Sequence, residues 1–127
     1  MLFKVPNGLR YVENLAYDWI AKNLYFTHSD RISVVAYNNP KQRRDVIHDD
    51  NIIALAVDPN AGYLFYSSMK RPAKIIRTYL DGSNRKVIAQ QGLWLPYAIT
   101  IDYQGFALFS IMIFFLIAVS FKFKYLG

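Results

Sequence analysis

An all-β fold is what this sequence predicts, and three observations predict it. Short apolar runs closed by an aspartate recur at Asn14–Asp18, Ala54–Asp58 and Ala98–Asp102, with the aspartates 40 and then 44 residues apart. Two aromatics and a hydroxyl begin seven residues after the first two of these, as Tyr25-Phe26-Thr27 and Phe65-Tyr66-Ser67. Between them, β-branched and aromatic residues alternate with turn formers, and no helical periodicity appears in either unit. Four short antiparallel strands in a unit of about 40 residues is the pattern of a β-propeller blade.

Taken in order, the first unit predicts strands at Leu15–Asp18, Leu24–Thr27, Ile32–Tyr37 and Asp45–His48. Asn23 and the run Asn38-Asn39-Pro40 punctuate them as turns. The second unit predicts strands at Ala54–Val57, Tyr63–Ser67, Lys74–Leu80 and Lys86–Ala89, with Asp81-Gly82-Ser83-Asn84 as a turn. Arg44-Asp45-Val46-Ile47 in the first unit answers Arg85-Lys86-Val87-Ile88 in the second. Ala98–Asp102 opens a third unit.

The recurring aspartates read as structural. A short carboxylate ending a buried strand accepts hydrogen bonds from backbone N–H groups of a neighbouring strand or blade. Left unpaired, such buried donors cost about 1–3 kcal/mol each. A catalytic carboxylate is needed once, whereas Asp18, Asp58 and Asp102 repeat. Tyr25, Phe26, Phe65 and Tyr66 are the aromatics expected to pack between strands.

The composition bounds the function classes. The chain has 127 residues, 54% of them hydrophobic and 17% aromatic. That is enough material for one cored domain and excludes a disordered polar chain. Net charge is +6, carried in short clusters: Lys41, Arg43 and Arg44; Lys70, Arg71, Lys74 and Arg77; Arg85 and Lys86. These read as solvated charge near turns and strand ends, and no nucleic-acid-binding motif accompanies them. There is no cysteine, which excludes disulfides, thiolate metal sites and a cysteine nucleophile. His28 and His48 lack metal-ligand spacing, and no phosphate loop, nucleophile elbow or HExxH motif is present. No cofactor and no enzymatic activity are expected. Met1–Arg10 lacks the apolar run of a signal peptide.

Asn14–Thr27 resembles the class B repeat of the low-density lipoprotein receptor family, the Tyr-Trp-Thr-Asp repeat. Leu55–Tyr66, Pro72–Ile75, Leu80–Ile88 and Leu93–Asp102 resemble it at successive positions of the same unit. The resemblance covers residues 12–103. It implies a partial six-bladed propeller: about two four-stranded blades and the first strand of a third, the remaining blades being partners. It also implies a non-catalytic module of an endocytic receptor ectodomain, extracellular or endosomal. Such a module takes protein or lipoprotein ligands and takes part in their release. Tyr25-Phe26-Thr27-His28 and Phe65-Tyr66-Ser67-Ser68 depart from the motif by lacking its aspartate. His28 is a candidate pH sensor for ligand release, since a histidine near a blade surface gains charge as pH falls toward about 6.

Residues 1–11 read as an N-terminal lead-in and 104–127 as a hydrophobic tail. From Tyr103 to Phe121 there is no charge, and Lys122 and Lys124 follow. As a helix this run would span about 28 Å, enough to cross a bilayer core. The expectation is therefore a C-terminal hydrophobic helix, either a membrane anchor or translated intron. A small C-terminally anchored membrane protein, or a non-functional truncated product, is the alternative to the receptor module.

Overall fold

The computed structural model describes residues 12–90, 96–102, 107–114 and 117–124. The first sheet contains β1 (Asn14–Asp18), β2 (Asn23–His28), β3 (Arg31–Ala36) and β4 (Asn39–His48) in the order β1-β2-β3-β4. The second repeats it with β5 (Ile52–Asp58), β6 (Tyr63–Ser68), β7 (Lys74–Tyr79) and β8 (Lys86–Ala89). Both are antiparallel meanders, and their hairpins are in the same register. Tyr25 faces Ala16 across the first hairpin, and Phe65 faces Ala56 across the second. The 40-residue repeat in the sequence is thus a repeat in space.

The expected strands are all present, with one extension. β4 begins at Asn39 rather than Asp45 and runs for 10 residues. Pro40 and the cations Lys41, Arg43 and Arg44 read as turn and loop in the sequence. An outermost strand has a free edge, so it tolerates a proline and a row of charges that an inner strand would not.

The core lies between the sheets. Tyr25, Ile32, Val34 and Ile47 of the first sheet pack against Ile52, Leu55, Val57, Leu64, Tyr66 and Ile76 of the second. On its other face the second sheet buries Phe65, Ala73, Ile75 and Ala89, with Ile99 and Ile101 packed against them. Alternation along β6 explains this: Leu64 and Tyr66 look back to the first sheet, and Phe65 looks forward to the third. Both faces of β6 are apolar because it is covered on both sides.

A third sheet lies in the tail, where the sequence reading expects a C-terminal hydrophobic helix. β9 (Pro96–Asp102) pairs with β10 (Ala107–Phe114), and β10 with β11 (Ile117–Lys124). The described backbone at Ala107–Phe114 and Ile117–Lys124 is strand, and the pairing runs past residue 103. Among the described residues no helix is long and apolar enough to cross a membrane. The physical reason is register. Asp102 pairs with Ala107, as Asp18 pairs with Asn23 and Asp58 with Tyr63, always five residues on. The run is rich in Phe, Ile and Val, which suit a strand covered on both faces as well as they suit a lipid-facing helix. The lead-in 1–11 lies outside the described residues.

Candidate functional site

The strand-closing aspartates hold the turns at one end of each sheet. Asp18 is buried, and its Oδ1 accepts the N–H of Ile20 at 2.9 Å and of Ala21 at 3.0 Å. Asp58 is equally buried, and its Oδ1 accepts the N–H of Ala61 at 3.2 Å. These bonds close the carboxylate's own turn. Asp102 is half-buried at the same point of the third sheet. The next turn position is left-handed in both complete sheets: Lys22 has φ of 58° and Gly62 has φ of 77°. Lysine pays a steric cost there that glycine does not. Lys22→Gly is expected to raise stability by about 0.5–1 kcal/mol, read as a higher denaturant midpoint.

Ties between sheets come from different residues. The Tyr25 hydroxyl donates to the Leu80 carbonyl at 3.0 Å, so the first sheet grips the turn after β7. Burial, with the Asp18 charge adding to it, pushes the Tyr25 hydroxyl up to about 12. The Tyr66 hydroxyl donates to Asp49 Oδ2 at 2.8 Å, and Arg85 approaches the same oxygen at 3.5 Å. Burial works to raise the Asp49 carboxyl. The bonds from Tyr66 and from the Asp50 N–H, with the Arg85 guanidinium, outweigh it and hold Asp49 below its usual 3.8. Ser67 Oγ accepts the Ala54 N–H at 3.1 Å and donates to the Pro96 carbonyl at 2.8 Å, joining the second sheet to the third.

Phe26 lies on the outer face of the first sheet, packed with Val35. The Arg43 guanidinium sits 5.5 Å from its ring centre. Phe65 lies between the second and third sheets. The sequence named Arg85 and Gly82 only as a cluster cation and a turn residue, and did not name Asp49. Ser67 was legible only as the hydroxyl of the repeated aromatic pair. Asp49 and Arg85 are too far apart in the chain to be paired by spacing.

His28 ends β2 beside Phe26, with ring centres 5.7 Å apart, and its Nε2 is buried without a hydrogen-bond partner. Burial, then the Arg31 and Arg43 charges, hold its pKa below the usual 6.5, with Asp30 and Asp45 acting weakly the other way. A histidine depressed in the folded state binds protons more readily when unfolded. Its contribution to stability is full above the unfolded value and declines as pH falls below 6.5. His28→Gln is therefore expected to flatten the stability curve between about pH 6.5 and 5, checked by denaturation midpoints across that range.

Among the described residues no group of three or more His, Asp or Glu side chains gathers as a metal site. What the site offers is surface. Trp19 and Ile20 at the first hairpin turn are 43% and 58% exposed. Lys41 and Arg44 stand out on β4.

No protein-family model matches the chain. The vitellogenin receptor of Solenopsis invicta is 30% identical over 101 residues, which is 78% of this chain and 6% of that receptor. The human low-density lipoprotein receptor-related protein 5-like protein is 27% identical over 95 residues, 72% of this chain and 38% of that protein. The deciding likeness joins sequence and shape. A chain in the crystal structure of a nidogen/laminin complex shares 30% identity at a TM-score of 0.75, over 80% of this chain and 40% of that one. This chain carries class B repeats of the low-density lipoprotein receptor family. Its repeats span a small part of the curated relatives they match. Where the class B motif places its aspartate, these repeats have His28 and Ser68, and the Ser68 hydroxyl donates to the Asp50 carbonyl at 2.6 Å.

Proposed function

We propose that these class B repeats serve as a non-catalytic protein-binding module of a receptor ectodomain, taking part in ligand binding and release. The observation carrying this reading is that both complete units keep the repeat's register and inter-sheet packing, while similar proteins are receptors by name. The repeat supplies a rigid frame, and the frame holds exposed side chains in fixed positions. Trp19 and Ile20 at the turn end, with Lys41 and Arg44 along the outer strand, suit an acidic protein or lipoprotein surface. Aromatic anchors supply contact area, and cations steer encounter with an oppositely charged partner.

Release belongs to the same proposal. Acid weakens the first sheet through His28, so a ligand held against that sheet would be held less well as pH falls. The test is surface plasmon resonance on the immobilised chain, with vitellogenin and low-density lipoprotein as analytes. Binding that weakens with salt, with Lys41→Glu and Arg44→Glu together, and at acid pH is the expected result. Absence of binding by either particle, or binding indifferent to those substitutions, overturns the reading.

A further inference from the structure

Among the described residues, adjacent cations occur as three pairs, and the fold treats them differently. Lys70-Arg71 precedes Pro72, whose ring nitrogen carries no hydrogen. At Arg85-Lys86, Lys86 is paired with Arg77 on β7, and Arg85 Nη2 lies 3.5 Å from Asp49 Oδ2. Arg43-Arg44 differs from both. In the run Lys41-Gln42-Arg43-Arg44, cations hold the first, second and fourth positions before the Arg44–Asp45 bond. At that fourth position the other pairs have Ser68 and Ser83.

Arg43-Arg44 also lies on backbone that is already extended and loosely held. β4 is the outermost strand of its sheet, and every residue from Asn39 to Asp45 is exposed. Asn39 pairs with Ala36 and Arg43 with Val35, which leaves Pro40, Lys41 and Gln42 unmatched in the β3 register. A groove of about 270 Å³ lies there, lined in part by Val35 and Ala36 of β3 and by Gln42, Arg43 and Arg44 of β4. Polar contacts tether the segment: Arg43 lies 3.5 Å from Asp45, and Asp45 accepts the Ser33 hydroxyl. Burial resumes just past the bond, at Val46 and Ile47. A strand end with so little apolar burial opens locally at low cost, while Ile47 keeps the rest of β4 in the core.

We propose that the Arg44–Asp45 bond is a processing site for a subtilisin-like endoprotease that reads paired basic residues. Such an enzyme takes its substrate as an extended strand, through main-chain hydrogen bonds, and seats the basic side chains in acidic pockets. β4 supplies the strand, and Lys41, Arg43 and Arg44 supply the side chains. In the cut, the amide C–N bond breaks and the oxygen of a water molecule bonds to the Arg44 carbonyl carbon. Both protons of that water end on the Asp45 nitrogen, leaving a carboxylate at Arg44 and an ammonium group at Asp45. Lys41 and Arg44 then belong to a new chain end, while Val46 and Ile47 stay packed. The cut requires no ligand and is independent of the binding proposed above.

The test is incubation of the purified native chain with furin, an endoprotease of this class, followed by mass spectrometry. The expected result is one cut, with one fragment ending at Arg44 and the other beginning at Asp45. Arg44→Ala is expected to abolish it. Lys41→Ala is expected to slow it by about 10-fold or more, the worth of one charge-assisted contact. Both side chains are exposed, so both variants should keep the wild-type circular dichroism spectrum. A native chain left uncut overturns the proposal, as does cutting first after Arg71 or Lys86. Cutting after Arg44 only in denaturant, or at a rate indifferent to Lys41→Ala, overturns it equally.

Discussion

Replacing Gly82 by alanine lowers the stability of the chain by about 2–4 kcal/mol, combining a left-handed backbone with overpacking. Gly82 sits in the turn after β7 with φ of 88°, a conformation a side chain resists. The larger part is steric. An added Cβ would overlap the Val46 carbonyl oxygen and lie 2.9 Å from its carbon. Those are backbone atoms of β4, so no rotamer change relieves the clash. The turn must lift away from the first sheet, loosening the Tyr25 to Leu80 bond as it goes. Gly62→Ala is the control. It has nearly the same φ but open space around it, and is expected to cost only about 1 kcal/mol. Urea denaturation of the three proteins separates the cases. Equal losses for both alanines would show that the turn does not press on the neighbouring sheet.

Tyr66→Ala is expected to cost about 3–5 kcal/mol, the usual range for emptying a buried aromatic site. Tyr66 is 1% exposed and stands in the cluster joining the first two sheets. Tyr66→Phe keeps the ring and removes the hydroxyl that Asp49 accepts, with an expected cost of about 1 kcal/mol. The pH profile identifies the smaller effect. Asp49 is held below 3.8, so its contribution is present above that value and lost as pH falls through its folded pKa. Removing the hydroxyl raises the folded value, so Tyr66→Phe should lose less stability than wild type on acidification below pH 4. A Tyr66→Phe protein with unchanged acid response would detach Asp49 from the inter-sheet tie.

Much of the architecture was legible because strand physics is local. Asp18 and Asp58 close strands where the alternation stops, and Gly82 marks a turn by conformational preference. The 40-residue spacing then showed that the units are equivalent. What the spacing left out was contact between units. That Gly82 lies against Val46, or that Asp49 meets Tyr66 and Arg85, depends on how two sheets stack, which no single-strand pattern encodes. Asp18 shows the same limit from the other side. Its role as an acceptor was legible, but its partners are the N–H groups of its own turn.

The tail admits two readings for a physical reason. Nineteen uncharged residues from Tyr103 to Phe121 satisfy the rule for a membrane helix. A strand covered by sheets on both faces carries the same continuous apolar signal. The five-residue step from Asp102 to its partner Ala107 separates the two, and it becomes visible only through register. β4 erred in the opposite direction, since an outer strand keeps its pairing while its side chains look like a loop.

The central claim is that the sheets are equivalent units continuing into the tail. Cross-strand nuclear Overhauser effects in the isotopically labelled chain test it most directly. The account predicts contacts between the Phe109 and Thr100 backbones matching those of Tyr25 with Ala16 and Phe65 with Ala56. Sequential helical contacts through residues 107–124, with no cross-strand contacts to 96–102, would contradict it.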